Sequence, residues 1–116
     1  MTDSARINIT THILDTSLGK PAAGVTVWLE KITGHDSVII HKSVTDADGR
    51  VGKLTPEGIE SGHYRLYADI GAYFASSHRE TLYPLAIIDV TISAGQFHYH
   101  LPLLITPFSW STYRGS

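Results

Sequence analysis

Residues 98–116 read HYHLPLLITPFSWSTYRGS. Two histidines two positions apart lead into an apolar run, Pro107 breaks it, a second short run follows, and Tyr113-Arg114-Gly115-Ser116 ends the sequence. Strand parity makes the stretch legible, because successive side chains of a strand face opposite sides of its sheet. Phe97, Tyr99, Leu101 and Leu103 share one face and read as core, while His98, His100 and Pro102 share the other. The two imidazoles are therefore expected together on the outside of a sheet. A chain end is usually frayed. Here an aromatic and a cation directly follow a strand pattern, so this end is expected to be built into a site.

The same alternation recurs upstream. In residues 7–14, Ile7, Ile9 and Ile13 share one face and Asn8, Thr10 and His12 the other, the pattern of a half-buried antiparallel strand. Residues 25–32 follow, with Val25, Val27 and Leu29 inward and Thr26, Trp28 and Glu30 outward. Further strands are expected over residues 38–45, 51–54, 64–70, 85–93, 97–105 and 108–114. Gly- and Pro-bearing loops lie at 15–24 and 55–62, and turns at 33–36, 46–50 and 94–96. Residues 72–80 break the alternation and lack Gly and Pro, so they read as one short helix. Eight short strands at roughly ten-residue spacing describe an all-β, two-sheet β-sandwich with one short helix. If the first and seventh strands pair, one outer face carries His12, His98 and His100. Trp28, Tyr67 and Trp110 also point outward, either as single surface residues or as a surface that a second subunit covers.

A chain of 116 residues is expected to be a single domain, residues 1–116, with a core of its own. The net charge of -2 and the lack of a basic patch leave nucleic acid and anionic membranes without an electrostatic footprint. The absence of cysteine removes disulfides, thiolate zinc sites and a Cys nucleophile. Neither a signal-peptide run nor a membrane-spanning stretch is present, so a soluble cytoplasmic protein is expected.

His12, His98 and His100 form the leading constellation, since imidazole suits acid–base work near neutral pH. Three histidines fit a catalytic zinc site with an open water position or a metal-free general base. They equally fit surface residues of a chain with seven histidines. Arg50, after the Asp46-Ala47-Asp48-Gly49 turn, can bind a planar, carbonyl-rich ligand through two parallel hydrogen bonds, or be a solvated turn residue. The glycine of that turn comes too early for an EF-hand calcium loop. Nucleophile-elbow, phosphate-loop and paired-carboxylate motifs are absent.

Several stretches spread over the chain carry a resemblance: ITTHILD at 9–15, GKPAAGV at 19–25, TDADGR at 45–50, HYHLPLL at 98–104 and YRGS at 113–116. Together they resemble the transthyretin-related proteins, the 5-hydroxyisourate hydrolases of urate breakdown. The terminal tetrapeptide is the most specific match, because it is similar to the mark that separates these hydrolases from hormone-carrying transthyretins. The resemblance implies an eight-stranded transthyretin-like sandwich and a homotetramer, a dimer of dimers with sites in a channel where outer sheet faces meet. It implies catalytic roles for His12, Arg50, His100 and Ser116, and substrate contacts from His12, Arg50, Tyr113, Arg114 and Gly115, with His98 as a neighbour. It also implies a small-molecule substrate, 5-hydroxyisourate, and no metal or other cofactor. On that reading neutral His12 or His100 takes a proton from water, and Arg50 steadies charge on the substrate oxygen. A hydrophobic-ligand carrier and a zinc hydrolase using His12, His98 and His100 are the alternatives. Turnover separates the first from the enzyme, and metal dependence separates the second.

Overall fold

Apolar alternation in eight segments builds two four-stranded sheets in the computed structural model, which describes residues 6–116. Residues 1–5, part of the stretch read for a targeting signal, lie outside the described residues. The strands are β1 (Asn8–Asp15), β2 (Lys20–Pro21), β3 (Thr26–Thr33), β4 (Asp36–Val44), β5 (Gly62–Ala68), β6 (Ala86–Ile92), β7 (His98–Thr106) and β8 (Ser109–Thr112). One short helix, α1 (Ile70–Ala75), joins β5 to β6. One sheet has the order β2-β1-β7-β8 and the other β4-β3-β5-β6. The all-β, two-sheet sandwich with one short helix read from the sequence is the observed architecture.

The inner faces carry the core. Ile9 and Ile13 of β1, Leu103 and Ile105 of β7, Val27 and Leu29 of β3, and Tyr64 and Leu66 of β5 are buried in one cluster. Burying such a side chain contributes about 1.5–3 kcal/mol relative to leaving it in water. β1 and β7 are thus held by their inner faces, and their outer faces are left to carry polar residues. No described helix is long and apolar enough to cross a membrane.

Several local expectations change. β1 pairs with β7 in parallel, and antiparallel only with β2 at Leu14 and Asp15. Residues 51–54 are not a strand. Val51, Leu54 and Thr55 are all buried, a spacing that breaks the two-residue period, so side chains rather than a ladder fix this segment. The eighth strand is β2, inside the stretch read as a loop, folded back on β1 by a turn that the Asp15 carboxylate caps through Ser17 N and Leu18 N. The strand expected to reach residue 70 stops at Ala68, because the Asp69 carboxylate accepts from Ala72 N and starts α1 at Ile70. The helix ends early as well. The Ser76 and Ser77 hydroxyls bond carbonyls of its last turn, and His78 takes a positive φ of 58°.

Phe97 is exposed rather than core. It precedes the first paired residue of β7, and the turn at Gly95 frees it from the parity of the strand. Trp28 and Tyr67 are outward, as expected, yet they shield each other. Their rings stack 4.9 Å apart on the second sheet, with the Lys42 ammonium 5.7 Å from the indole.

Candidate active site

The parallel register of β1 and β7 sets Asn8 beside His98, Thr10 beside His100 and His12 beside Pro102. These side chains share the outer face of the first sheet. The Thr10 hydroxyl oxygen lies 2.9 Å from His98 Nε2 and 2.8 Å from His100 Nδ1, so one hydroxyl bridges both imidazoles. It carries a single proton and two lone pairs, so it donates to at most one of the two rings and accepts from the other.

Arg50 arrives from a tight turn. The Asp46 carboxylate accepts from the backbone N–H of Asp48 (2.9 Å) and of Arg50 (3.0 Å), and Gly49 supplies a φ of 77°. Gly49 also packs so closely on β1 that a Cβ there would collide with the Ile13 carbonyl. Ile13 N donates to Gly49 O (2.8 Å), and a lone backbone bridge joins Arg50 to His12. His12 Nε2 sits 2.8 Å from the Asp48 carbonyl. A carbonyl only accepts, so Nε2 carries the proton, and in the neutral ring Nδ1 holds the lone pair. Among the described residues no carboxylate pairs with the Arg50 guanidinium.

The last residues fold back onto the same face. Gly115 N donates to His100 O at 2.7 Å. Arg114 donates to Gln96 Oε1 (3.2 Å) and His98 O (3.3 Å), and its guanidinium carbon lies 4.2 Å from the centre of the Tyr99 ring. This clamp leads Ser116 into a cavity of about 270 Å³ lined by Thr10, Thr11, Arg50, Val51, His98, His100 and Ser116. Of the residues expected from sequence, the structure brings Arg50, His98, His100 and Ser116 together around that space. His12 is not among the lining residues, though it lies near enough to influence His100. Tyr113 is exposed, and the Tyr113, Arg114 and Gly115 side of the tail stays outside the lining.

Burial, together with His98, Arg50 and His12 nearby, lowers the pKa of His100 below its ordinary value of 6.5. Its imidazole is therefore neutral at neutral pH and can accept a proton. Among the described residues no three His, Cys, Asp or Glu side chains come together as a metal-ligating group. Arg50, which lines the same cavity as the two histidines, offers donors for an oxygen on which charge develops. A neutral base, a free guanidinium and a cavity sized for a small heterocycle suit hydrolysis of a planar, carbonyl-rich substrate.

The family model described as HIUase/Transthyretin family matches residues 9–115. The chain belongs to the HIUase/transthyretin family. A 5-hydroxyisourate hydrolase of Halalkalibacterium halodurans is 45% identical over 115 residues, covering 93% of this chain and 97% of the relative. The structure of the Klebsiella pneumoniae 5-hydroxyisourate hydrolase superposes with a TM-score of 0.82 at 43% identity, covering 95% of this chain and 94% of that one. Sea bream transthyretin in complex with thyroxine superposes with a TM-score of 0.88 at 30% identity, covering 93% and 94%. Within the HIUase/transthyretin family, the enzyme reading of this chain stands on the hydrolases that match over nearly its whole length.

Thr10, Thr11 and Val51 were not singled out from sequence as part of the site. The signal for Thr10 was available, since parity places it on the same face as His12. Its role depends on the register that sets it beside His100, and register is a tertiary property. Val51 gave no such signal, because its segment does not follow strand periodicity.

Proposed function

We propose that the chain hydrolyses 5-hydroxyisourate, opening its six-membered ring to 2-oxo-4-hydroxy-4-carboxy-5-ureidoimidazoline in urate degradation, without a metal ion. The observation that carries this reading is the cavity that gathers Arg50, His98, His100 and Ser116 from distant parts of the sequence. It does so in a chain whose full-length relatives are named for that reaction. His100, kept neutral by its surroundings, takes a proton from water, and the water oxygen bonds to C6 of the substrate. Arg50 holds the C6 oxygen while it carries charge. The C6–N1 bond then breaks, N1 takes the proton back from His100, and C6 becomes a carboxylic acid that loses its remaining proton to solvent. A positioned base of this kind contributes about 10²–10⁴-fold. His12, tied to the Asp48 carbonyl, orients the Arg50 turn. Ser116 closes the cavity, and Tyr113, Arg114 and Gly115 hold it there.

A homotetramer, with sites where the outer faces of the first sheet meet, would give the exposed side of the cavity a second wall. The lining argues against a carrier, whose cavity would be mainly apolar; here two imidazoles, a guanidinium and hydroxyls are among the lining groups.

The test is the ultraviolet decay of 5-hydroxyisourate freshly generated from urate, with wild type and with His12→Ala, Arg50→Ala and His100→Ala, each with and without chelator. Acceleration by wild type, indifferent to chelator and largely lost in the Arg50 and His100 variants, is expected. Decay no faster than the spontaneous rate would overturn the hydrolase reading, and saturable ligand binding would then support the carrier. Loss of activity with chelator would restore a metal to the site.

A further inference from the structure

The Thr10 hydroxyl joins two imidazoles in different surroundings: His100, half-buried in the cavity wall, and His98, exposed. We infer that Thr10 is the positioning residue of a proton relay, holding His100 as the Nδ1–H tautomer and linking it to His98. The inference rests on the hydrolase reading and gives its base a route for charge.

Two neutral arrangements place the Thr10 proton within the bridge, as a relay requires. In one, His100 Nδ1–H donates to Thr10 Oγ1, and the Thr10 O–H donates to His98 Nε2. In the other, both bonds reverse. Only the first leaves His100 Nε2, the nitrogen outside the bridge, with a lone pair able to take a proton. The proton movements then balance. Nε2 of His100 takes a proton from water as the water oxygen bonds to the substrate carbon. Nδ1–H passes its proton to Thr10 Oγ1, and the Thr10 hydroxyl proton passes to His98 Nε2. His100 and Thr10 end neutral, and the imidazolium charge sits on His98. When the leaving nitrogen takes the proton from His100 Nε2, the three transfers run back.

Charge on His100 is disfavoured by its burial and by the positive or titratable groups near it, His98 on the same strand, Arg50 in the cavity lining and His12 on β1. Moving that charge to His98 places it where solvent can stabilise it. Arg114 lies against His98 only through the backbone carbonyl, which partly offsets its charge there. An exposed histidine beside the base is thereby given a function that its spacing alone does not assign.

The experiment compares wild type with Thr10→Val, which keeps shape and loses the hydroxyl, and Thr10→Ser, which keeps the hydroxyl. Turnover is measured in mixtures of light and heavy water, and the His100 ring nitrogens are followed by NMR. Thr10→Val should lose about 10²-fold in kcat, the low end for acid–base catalysis, with KM nearly unchanged, and Thr10→Ser should stay close to wild type. The solvent isotope effect of wild type should depend on heavy-water fraction with the curvature of several protons in flight, and that curvature should vanish in Thr10→Val. Ring-nitrogen shifts should report the Nδ1–H tautomer in wild type and a mixture in Thr10→Val. Should Thr10→Val fail to fold, His98→Phe removes the far end of the relay without touching β1, and the same loss in kcat is expected. Wild-type kcat and curvature in either variant, or an Nε2–H tautomer in wild type, would overturn the relay. A wild type that does not accelerate the decay at all would instead sink the hydrolase reading and the relay with it, while the NMR result would still report which way the bridge is protonated.

Discussion

Gly115 is where the tail and the base meet. A Cβ there would stand 2.6 Å from His100 Cδ2 and 3.3 Å from Pro102 Cγ, too close for the ring to remain where it is. Gly115→Ala should therefore move the imidazole off Thr10 while leaving the core untouched. Misplacement by about 1 Å can cost about 10²-fold in rate, so kcat/KM should fall by roughly that factor, with the melting temperature nearly unchanged. Equal activity of wild type and Gly115→Ala in the decay assay would remove the tail from the site. The proton affinity of His100 makes a second prediction. A lowered pKa keeps the base neutral below pH 6.5, so the acidic limb of kcat/KM should lie below 6.5. Arg50→Gln removes one of the charges that lower it, so in the residual activity of that variant the limb should move up towards 6.5. A limb above 6.5 in wild type would mean that another group is the base. At this scale the sequence was readable where parity sufficed, for His98 and His100, and where turn chemistry sufficed, for Arg50. Parity put Thr10 on the wet face but gave it no role, because its tie to His100 depends on which residue lies across the ladder.

The elements show the same division. Strands with a wet face and a dry face were legible because a period of two survives in the residues themselves. The parallel pairing of β1 with β7 was not, since either direction satisfies the same alternation. The helix was misplaced because its start depends on the Asp69 cap and its end on the serine hydroxyls and His78. What anchors α1 to the first sheet is a buried charge. Asp15 is fully buried at the end of β1 and accepts from Tyr73 OH (2.8 Å), Arg79 Nη2 (2.9 Å) and Ser17. Burial alone would raise its pKa, but the bonds from Ser17, Arg79 and Tyr73 and the Arg79 charge outweigh that and hold it below the ordinary 3.8. A depressed carboxylate stabilises the fold above its unfolded pKa, and that contribution is lost as pH falls through the folded value. Arg79→Ala should cost about 1.5–3 kcal/mol at neutral pH, the scale of hydrogen bonds to a charged group. Asp15→Asn should flatten the dependence of stability on pH below about 4. Denaturant unfolding at neutral and acid pH checks both, and an Arg79→Ala protein as stable as wild type would make the network incidental.

At the scale of the whole molecule, exposed apolar side chains lie on both sheets, Val38, Ile39 and Val44 on β4 among them, and three flank the sheet that bears the site. Leu18 between β1 and β2, Phe108 between β7 and β8, and Tyr113 after β8 are exposed at 52%, 64% and 58%. All three flank the first sheet, which is where a partner would have to sit to close the cavity. Exposed apolar groups gathered on one face mark an interaction surface. If the proposed dimer of dimers forms there, two-fold symmetry brings each residue near its own copy or that of a neighbour. Leu18→Glu combined with Phe108→Glu would then set carboxylates against an apolar surface and against each other. An unpaired buried charge costs several kcal/mol, and about 1.4 kcal/mol is already tenfold in an association constant. Sedimentation of wild type should give four times the 12.7 kDa chain mass, and the double variant a smaller species with an intact fold. The decay assay then separates two roles for assembly. Activity lost with the tetramer, and recovered at high protein concentration, would mean that the neighbouring subunit supplies part of the site. Full activity in the smaller species would mean that the base, the guanidinium and the tail of one chain suffice, and that assembly serves stability alone.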